Sequence, residues 1–86
     1  MSITFKQVEA WDGSRDVVAF PADRDGTAIQ CAISMEALQD HFGLDGSDAV
    51  PCFQKNRPSI ETIAHRLIRQ SRTESDGTIL IRTRDC

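Results

Sequence analysis

The stretch Thr27-Ala28-Ile29-Gln30-Cys31-Ala32-Ile33-Ser34-Met35-Glu36-Ala37-Leu38-Gln39-Asp40-His41-Phe42-Gly43 changes period in its middle. From Thr27 to Ile33 it alternates. Ile29, Cys31 and Ile33 share one face and Ala28, Gln30 and Ala32 the other, which is the pattern of a strand. After Ser34 the period lengthens. Met35, Leu38 and Phe42 stand three and four apart, as on the inward stripe of a helix. Ser34 is a good N-cap because its hydroxyl can accept a free first-turn N–H. Glu36 suits the positive helix end, Ile33 and Leu38 hold the positions of a hydrophobic staple, and Gly43 suits the left-handed residue that follows a helix. A strand running straight into a helix over about 35–42 is therefore expected.

Upstream, Ile3-Thr4-Phe5 reads as a short strand and Trp11-Asp12-Gly13-Ser14 as a turn behind an aromatic anchor. Val17-Val18-Ala19-Phe20 reads as a strand stopped by Pro21. Asp25-Gly26 supplies the turn, so this strand and the next should form an antiparallel hairpin with a longer loop. Downstream, Asp45-Gly46-Ser47-Asp48 is a turn and Val50–Asn56 a short middle helix, with Pro51 tolerable only in its first turn. Pro58 disfavours helix at Arg57, so Ser59 is expected to cap the long helix. Ile60, Ile63, Ala64, Leu67 and Ile68 form its apolar stripe. Glu74-Ser75-Asp76-Gly77 is a turn and Thr78–Thr83 a last strand, with Ile79 and Ile81 inward and Leu80, Arg82 and Arg84 outward.

The order β-β-β-α-α-α-β predicts an α+β fold: a three- to four-stranded, largely antiparallel sheet with two or three helices on one face. The last strand lies either beside the first or parallel to the third. The chain has 86 residues, enough for one domain. With 40% hydrophobic and 27% charged residues it is globular in composition. No stretch approaches the 18 apolar residues of a membrane helix. The N-terminus lacks the apolar run of a secretory signal, and three cysteines without Cys-x-x-Cys spacing do not form a disulfide framework. A reducing cytosol is the expected setting.

The net charge of −3 argues against a general polyanion binder, but it is uneven. Residues 1–43 carry net −4, whereas residues 55–84 carry seven basic side chains against three acidic ones. Three marks flank the central stretch: Trp11-Asp12 before it, Val18-x-Phe20-Pro21 with Gly26, and Asn56-Arg57 ahead of the long helix. Together with Cys31–Leu38 and Phe42-Gly43 these pieces resemble domain-of-unknown-function family 1488 over nearly the whole chain. The resemblance implies a stand-alone bacterial α+β protein and carries over no catalytic residue.

Candidate chemistry is sparse. Cys31 reads as a small buried hydrophobe. If Pro51 starts a helix, the free N–H groups there could activate the Cys52 thiol for redox or nucleophilic work, with His41 and His65 as the only candidate bases. Cys86 is expected to be exposed and prone to adventitious cross-linking. No spacing suits a metal, the scattered glycines make no phosphate cradle, and no cofactor is implied. The patterned polar feature is basic: His65, Arg66, Arg69 and Arg72 on one side of the long helix, with Arg82 and Arg84 on the last strand. Such a surface suits an acidic protein partner better than nucleic acid, since the sheet lacks the aromatic pattern of an RNA-recognition motif. The competing reading is a solvated face whose arginines suit the negative helix end. Trp11, Asn56 and Arg57 are expected to be structural: Trp11 covering one end of the core with its N–H bonded, Asn56 ending the middle helix, Arg57 paired with a loop carboxylate. The reading is a small cytosolic binding or accessory module rather than an enzyme. Nucleic-acid binding by the basic face and thiol chemistry at Cys52 are the alternatives.

Overall fold

The computed structural model describes residues 2–46 and 48–86, so Ser47 of the expected 45–48 turn lies outside the described residues. The chain runs β1 (Ile3–Phe5), β2 (Ala10–Asp12), β3 (Val17–Arg24), β4 (Thr27–Ser34), α1 (Met35–His41), α2 (Ala49–Lys55), α3 (Arg57–Arg69) and β5 (Ile79–Ile81), then a 3₁₀ turn (Thr83–Asp85). This is the expected α+β architecture with one more strand. Trp11 and Asp12 belong to that strand, and the turn begins after them; three residues are too few to show a period.

β3 and β4 are the long central pair, antiparallel from Val17↔Ser34 to Arg24↔Thr27. β1 and β2 lie end to end along the outer side of β3, and β5 pairs with β4 in parallel, giving a mixed sheet ordered β1-β3-β4-β5. Of the two placements open from sequence, the last strand takes the one beside β4.

Two expectations about β3 change. Pro21 does not stop the strand. Its carbonyl accepts from the Lys6 N–H at 3.1 Å, so its backbone faces the β1 side. In an antiparallel ladder a residue's N–H and C=O point the same way, so the missing donor falls where β1 has ended and the β4 ladder is untouched. The hairpin loop is also tight rather than long. Asp25 (φ 51°) and Gly26 (φ 88°) both take positive φ, the two-residue turn that matches the twist of its strands.

The helices cover one face. Val18, Phe20 and Ala22 of β3, Cys31 and Ile33 of β4, and Ile79 and Ile81 of β5 pack against Leu38, Phe53, Ile60, Ala64, Leu67 and Ile68. Phe20 centres an aromatic row, 4.9 Å from Phe53 and 6.2 Å from Phe5 between ring centroids. α1 starts as expected: the Ser34 hydroxyl accepts from the Ala37 N–H at 3.1 Å. It ends with Gly43 at φ 72° and the Leu44 N–H on the Leu38 carbonyl.

α3 departs from expectation at both ends. It starts at Arg57, with Pro58 in the first turn, where a missing N–H costs nothing, and Asn56 in place of Ser59 at its N-cap. It stops at Arg69, because Ser71 turns left-handed (φ 53°) and the Arg72 N–H closes back on the Leu67 carbonyl. β5 is shorter than expected, so neither arginine lies on the strand: Arg82 caps the 3₁₀ turn and Arg84 lies within it.

Candidate functional site: the basic end of α3

The end of α3 has few side-chain partners of its own. Arg66 and Arg69 lie in its last turn, where the negative end of the helix dipole favours cations. The 3₁₀ turn packs on α1, where the Thr83 hydroxyl bonds Glu36 and Asp40, and it brings Asp85 within reach of this end of α3. The Arg66 guanidinium donates to the Asp85 main-chain carbonyl. The Asp85 carboxylate accepts from the Arg82 N–H at 2.9 Å and stands 3.8 Å from the Arg72 guanidinium. Arg82 turns the other way and forms a two-point pair with Glu74, at 2.6 and 3.2 Å.

The six basic residues singled out from the sequence thus fall into two groups. Arg66, Arg72 and Arg82 are engaged by Asp85 and Glu74. His65, Arg69 and Arg84 have no side-chain hydrogen bond or ion pair among the described residues. Arg72 is not on the helical face where the period placed it, since the helix has already ended. Two shallow depressions mark the surface. One, of about 470 Å³, is lined by Thr62, His65, Arg66, Arg69 and Gln70. The other, of about 250 Å³, takes in Arg72, Arg82 and Arg84 with Glu74 and Asp85. Asp85 and Glu74 are the organising residues that sequence reasoning missed. Asp85 is remote in sequence from the Arg66 it holds, Glu74 binds Arg82 beyond β5 rather than the helix, and no period links either to its partner.

At the other end of α3 sits a second charged cluster. Arg57 pairs with Glu9, the loop carboxylate expected for it, and with Glu61 at 3.4 Å, and its guanidinium lies 5.0 Å from the Phe53 ring centre. The Glu9 side chain is only 7% exposed and also accepts from Gln54 at 2.8 Å. The Arg57 hydrogen bond holds the Glu9 carboxyl below its ordinary value, and Glu9 in turn raises Arg57. Asn56 closes α2: its amide donates to the Cys52 carbonyl at 2.9 Å and to the Phe42 carbonyl at 3.4 Å. Trp11 differs from expectation. It is 42% exposed, its indole N–H has no acceptor among the described residues, and its ring lies beside Gly13.

The thiols have plain surroundings. Burial pushes the Cys31 thiol up to about 12, which keeps it neutral. Because α2 begins at Ala49 rather than Pro51, the Cys52 N–H is already bonded to the Asp48 carbonyl and no free N–H cradle surrounds this thiol. Its Sγ donates to the Phe42 carbonyl at 3.4 Å. No group of three or more His, Cys, Asp or Glu among the described residues could hold a metal ion. No helix among the described residues is long and apolar enough to cross a membrane. A groove of about 660 Å³ lies between the β3–β4 hairpin tip and the loop after α3, and none of the candidate functional residues lines it.

A family model described as "Protein of unknown function (DUF1488)" matches residues 3–81. The chain belongs to the DUF1488 family. Two bacterial relatives, each called "Uncharacterized protein YrdB", come from Escherichia coli K12 and Shigella flexneri; each is 32% identical over 79 residues, covering 91% of this chain and 93% of the relative. The crystal structure of a DUF1488 protein of unknown function from Shewanella loihica PV-4 superposes with a TM-score of 0.85 at 28% identity, over 93% of this chain and 91% of the other. The DUF1488 match spans Trp11, Asn56 and Arg57, three of the positions that carry the resemblance.

Proposed function

We propose that the protein is a non-enzymatic accessory module of the cytosol that docks an acidic surface of a protein partner through the basic end of α3. The observation that carries this reading is the division of labour among the basic residues. Arg66, Arg72 and Arg82 build the surface, while His65, Arg69 and Arg84 are left without internal partners among the described residues. Rim charges of this kind steer and select a partner of opposite sign. Glu74 and Asp85 are interleaved with the arginines and would repel a continuous phosphate backbone, which favours a protein carboxylate cluster over nucleic acid.

The test uses Arg69→Glu combined with Arg84→Glu, which reverses two free charges and leaves the engaged arginines in place. Tagged wild-type protein in native cytosol should retain acidic proteins that the double variant loses, with retention weakening as salt rises. Equal recovery by both proteins would overturn the reading. Retardation of short DNA or RNA at low salt, lost in the double variant, would replace it with nucleic-acid binding.

A further inference from the structure

The sheet has two outer edges, and they are finished differently. At β5, the Glu74 N–H caps the Thr78 carbonyl at 2.7 Å, and the Asp85 carboxylate caps the Arg82 N–H at 2.9 Å. Strand alternation then leaves Leu80 alone facing outward, so this edge is blunted from within. Among the described residues, β1 has no such cap. Ser2 and Lys6 bond toward β3, through the Asp25 N–H to the Ser2 carbonyl at 3.0 Å and the Lys6 N–H to the Pro21 carbonyl at 3.1 Å. By the same alternation, Thr4 also faces β3, and the N–H and C=O groups of Ile3 and Phe5 face outward with no partner among the described residues.

We propose that β1 pairs with β1 of a second copy of this chain, antiparallel about a two-fold axis at Thr4, joining two sheets into one. The register follows from the open groups. With Thr4 opposite Thr4 of the partner, Ile3 of each chain faces Phe5 of the other and exchanges both hydrogen bonds, so all eight outward groups are used. A two-fold centred on Ile3 or Phe5 leaves one of these residues facing chain outside the strand.

The side chains are self-complementary in the same register. Ile3 and Phe5 lie on the helix face, and Ile3 opposite Phe5 is an apolar cross-strand pair. Beside Phe5 opens a groove of about 480 Å³, lined by Pro58, Glu61, Thr62 and His65, into which the partner's side chains would fit. Thr4 is on the open face, where two threonines meet at the close spacing of a non-bonded pair. Charge also matches. Lys6 comes opposite the partner's Ser2, whose N–H is held by Asp25 at 2.8 Å. Each lysine therefore faces an acidic hairpin corner about 10 Å away, two strand spacings, and no like charges are opposed. The groove shares Thr62 and His65 with the depression at the basic end of α3, but the strand pairing does not depend on the partner proposed there.

Sedimentation equilibrium over a concentration series, in reducing buffer so that Cys86 cannot cross-link, tests the pairing. The wild type should pass from the 9.6 kDa monomer to twice that mass. Thr4 is exposed, so Thr4→Lys and Thr4→Glu should each keep the wild-type circular dichroism spectrum. Each alone should stay monomeric, because like charges would meet on the axis. Mixed in equal amounts they should form the heterodimer at concentrations where neither associates alone. A wild type that stays monomeric throughout, a Thr4→Lys variant that still doubles its mass, or a mixture that stays monomeric would overturn the proposal.

Discussion

The two ends of α3 use arginine in opposite ways. Arg57 opens the helix, where the dipole disfavours a cation, and is held there by Glu9, Glu61 and the face of Phe53. At the other end the dipole favours cations, and arginines from three segments gather around two carboxylates, Asp85 and Glu74, with some left over. The first end is a lock: one cation, 17% exposed, shared among partners from different elements. The second is a surface whose cations exceed what its own carboxylates can hold. Charge count alone points to the second end as the important one. Burial and pairing place the more tightly held cation at the first.

Breaking the lock should have the largest effect. Arg57→Ala removes the cation that pairs with and covers Glu9, leaving it only Gln54 as a partner, and it should cost about 2 kcal/mol, below the range for breaking a fully buried pair. Against a total of roughly 4–13 kcal/mol for a chain this size, the urea midpoint should drop sharply. Replacing both partners by apolar residues, Glu9→Leu with Arg57→Met, should cost less than Arg57→Ala alone, because no charge is stranded.

The same lock predicts an acid limb. The Glu9 carboxyl is lowered in the folded protein, chiefly by its hydrogen bond from Arg57. Its stabilisation is therefore fully present above the ordinary value of 4.5 and is lost as pH falls through the lower folded value. Thermal unfolding from neutral to acid pH should show the melting gap between wild type and Arg57→Ala narrowing once pH passes below that ordinary value. A constant gap would mean that Arg57 acts through packing on Phe53 and not through Glu9.

Smaller effects belong to the other end. Arg66→Ala removes a charged hydrogen bond to the Asp85 carbonyl and should cost about 1 kcal/mol, loosening the 3₁₀ turn more than the core. Arg82→Ala breaks an exposed pair with Glu74 and should cost about 0.5 kcal/mol. Hydrogen exchange at the 3₁₀ turn separates the two, since only the first should speed exchange at Asp85 and Cys86.

How much of this could be read from sequence divides along the same line. The elements with a period were legible. The alternation of 27–33, the Ser34 cap and the stripe Ile60-Ala64-Leu67-Ile68 all appear in the fold as local pattern implies. Elements decided by a partner were not. β2 is a strand because β3 offers it an edge, and Pro21 is tolerated because of the direction its backbone faces in the ladder. Arg72 left the helical face because Ser71 turned left-handed, which its own residue type does not announce. The basic residues were all visible as a composition shift, but their division into engaged and free depends on Glu74 and Asp85. Glu74 meets Arg82, and Asp85 meets Arg66 and Arg72, only through the tertiary fold.

The smallest stability effect is expected at Arg69, and it sharpens the contrast most. This side chain is exposed, makes no internal ion pair among the described residues and loses only a few tenths of a kcal/mol of dipole interaction when removed. Arg69→Ala should therefore leave the urea midpoint within about 0.5 kcal/mol of wild type, as surface substitutions generally do. Arg57→Ala, the same deletion some three turns earlier on the same helix, should cost several times more. Binding should reverse the order. Once an acidic partner is in hand, Arg69→Ala should weaken its capture and flatten the salt dependence, while any Arg57→Ala protein that remains folded should bind as wild type does. A helix that ranks the two arginines one way for stability and the other way for binding has separated holding itself together from holding something else. If Arg69→Ala destabilised as much as Arg57→Ala, both ends would be structural, and the basic surface would have no cation to spare for a partner.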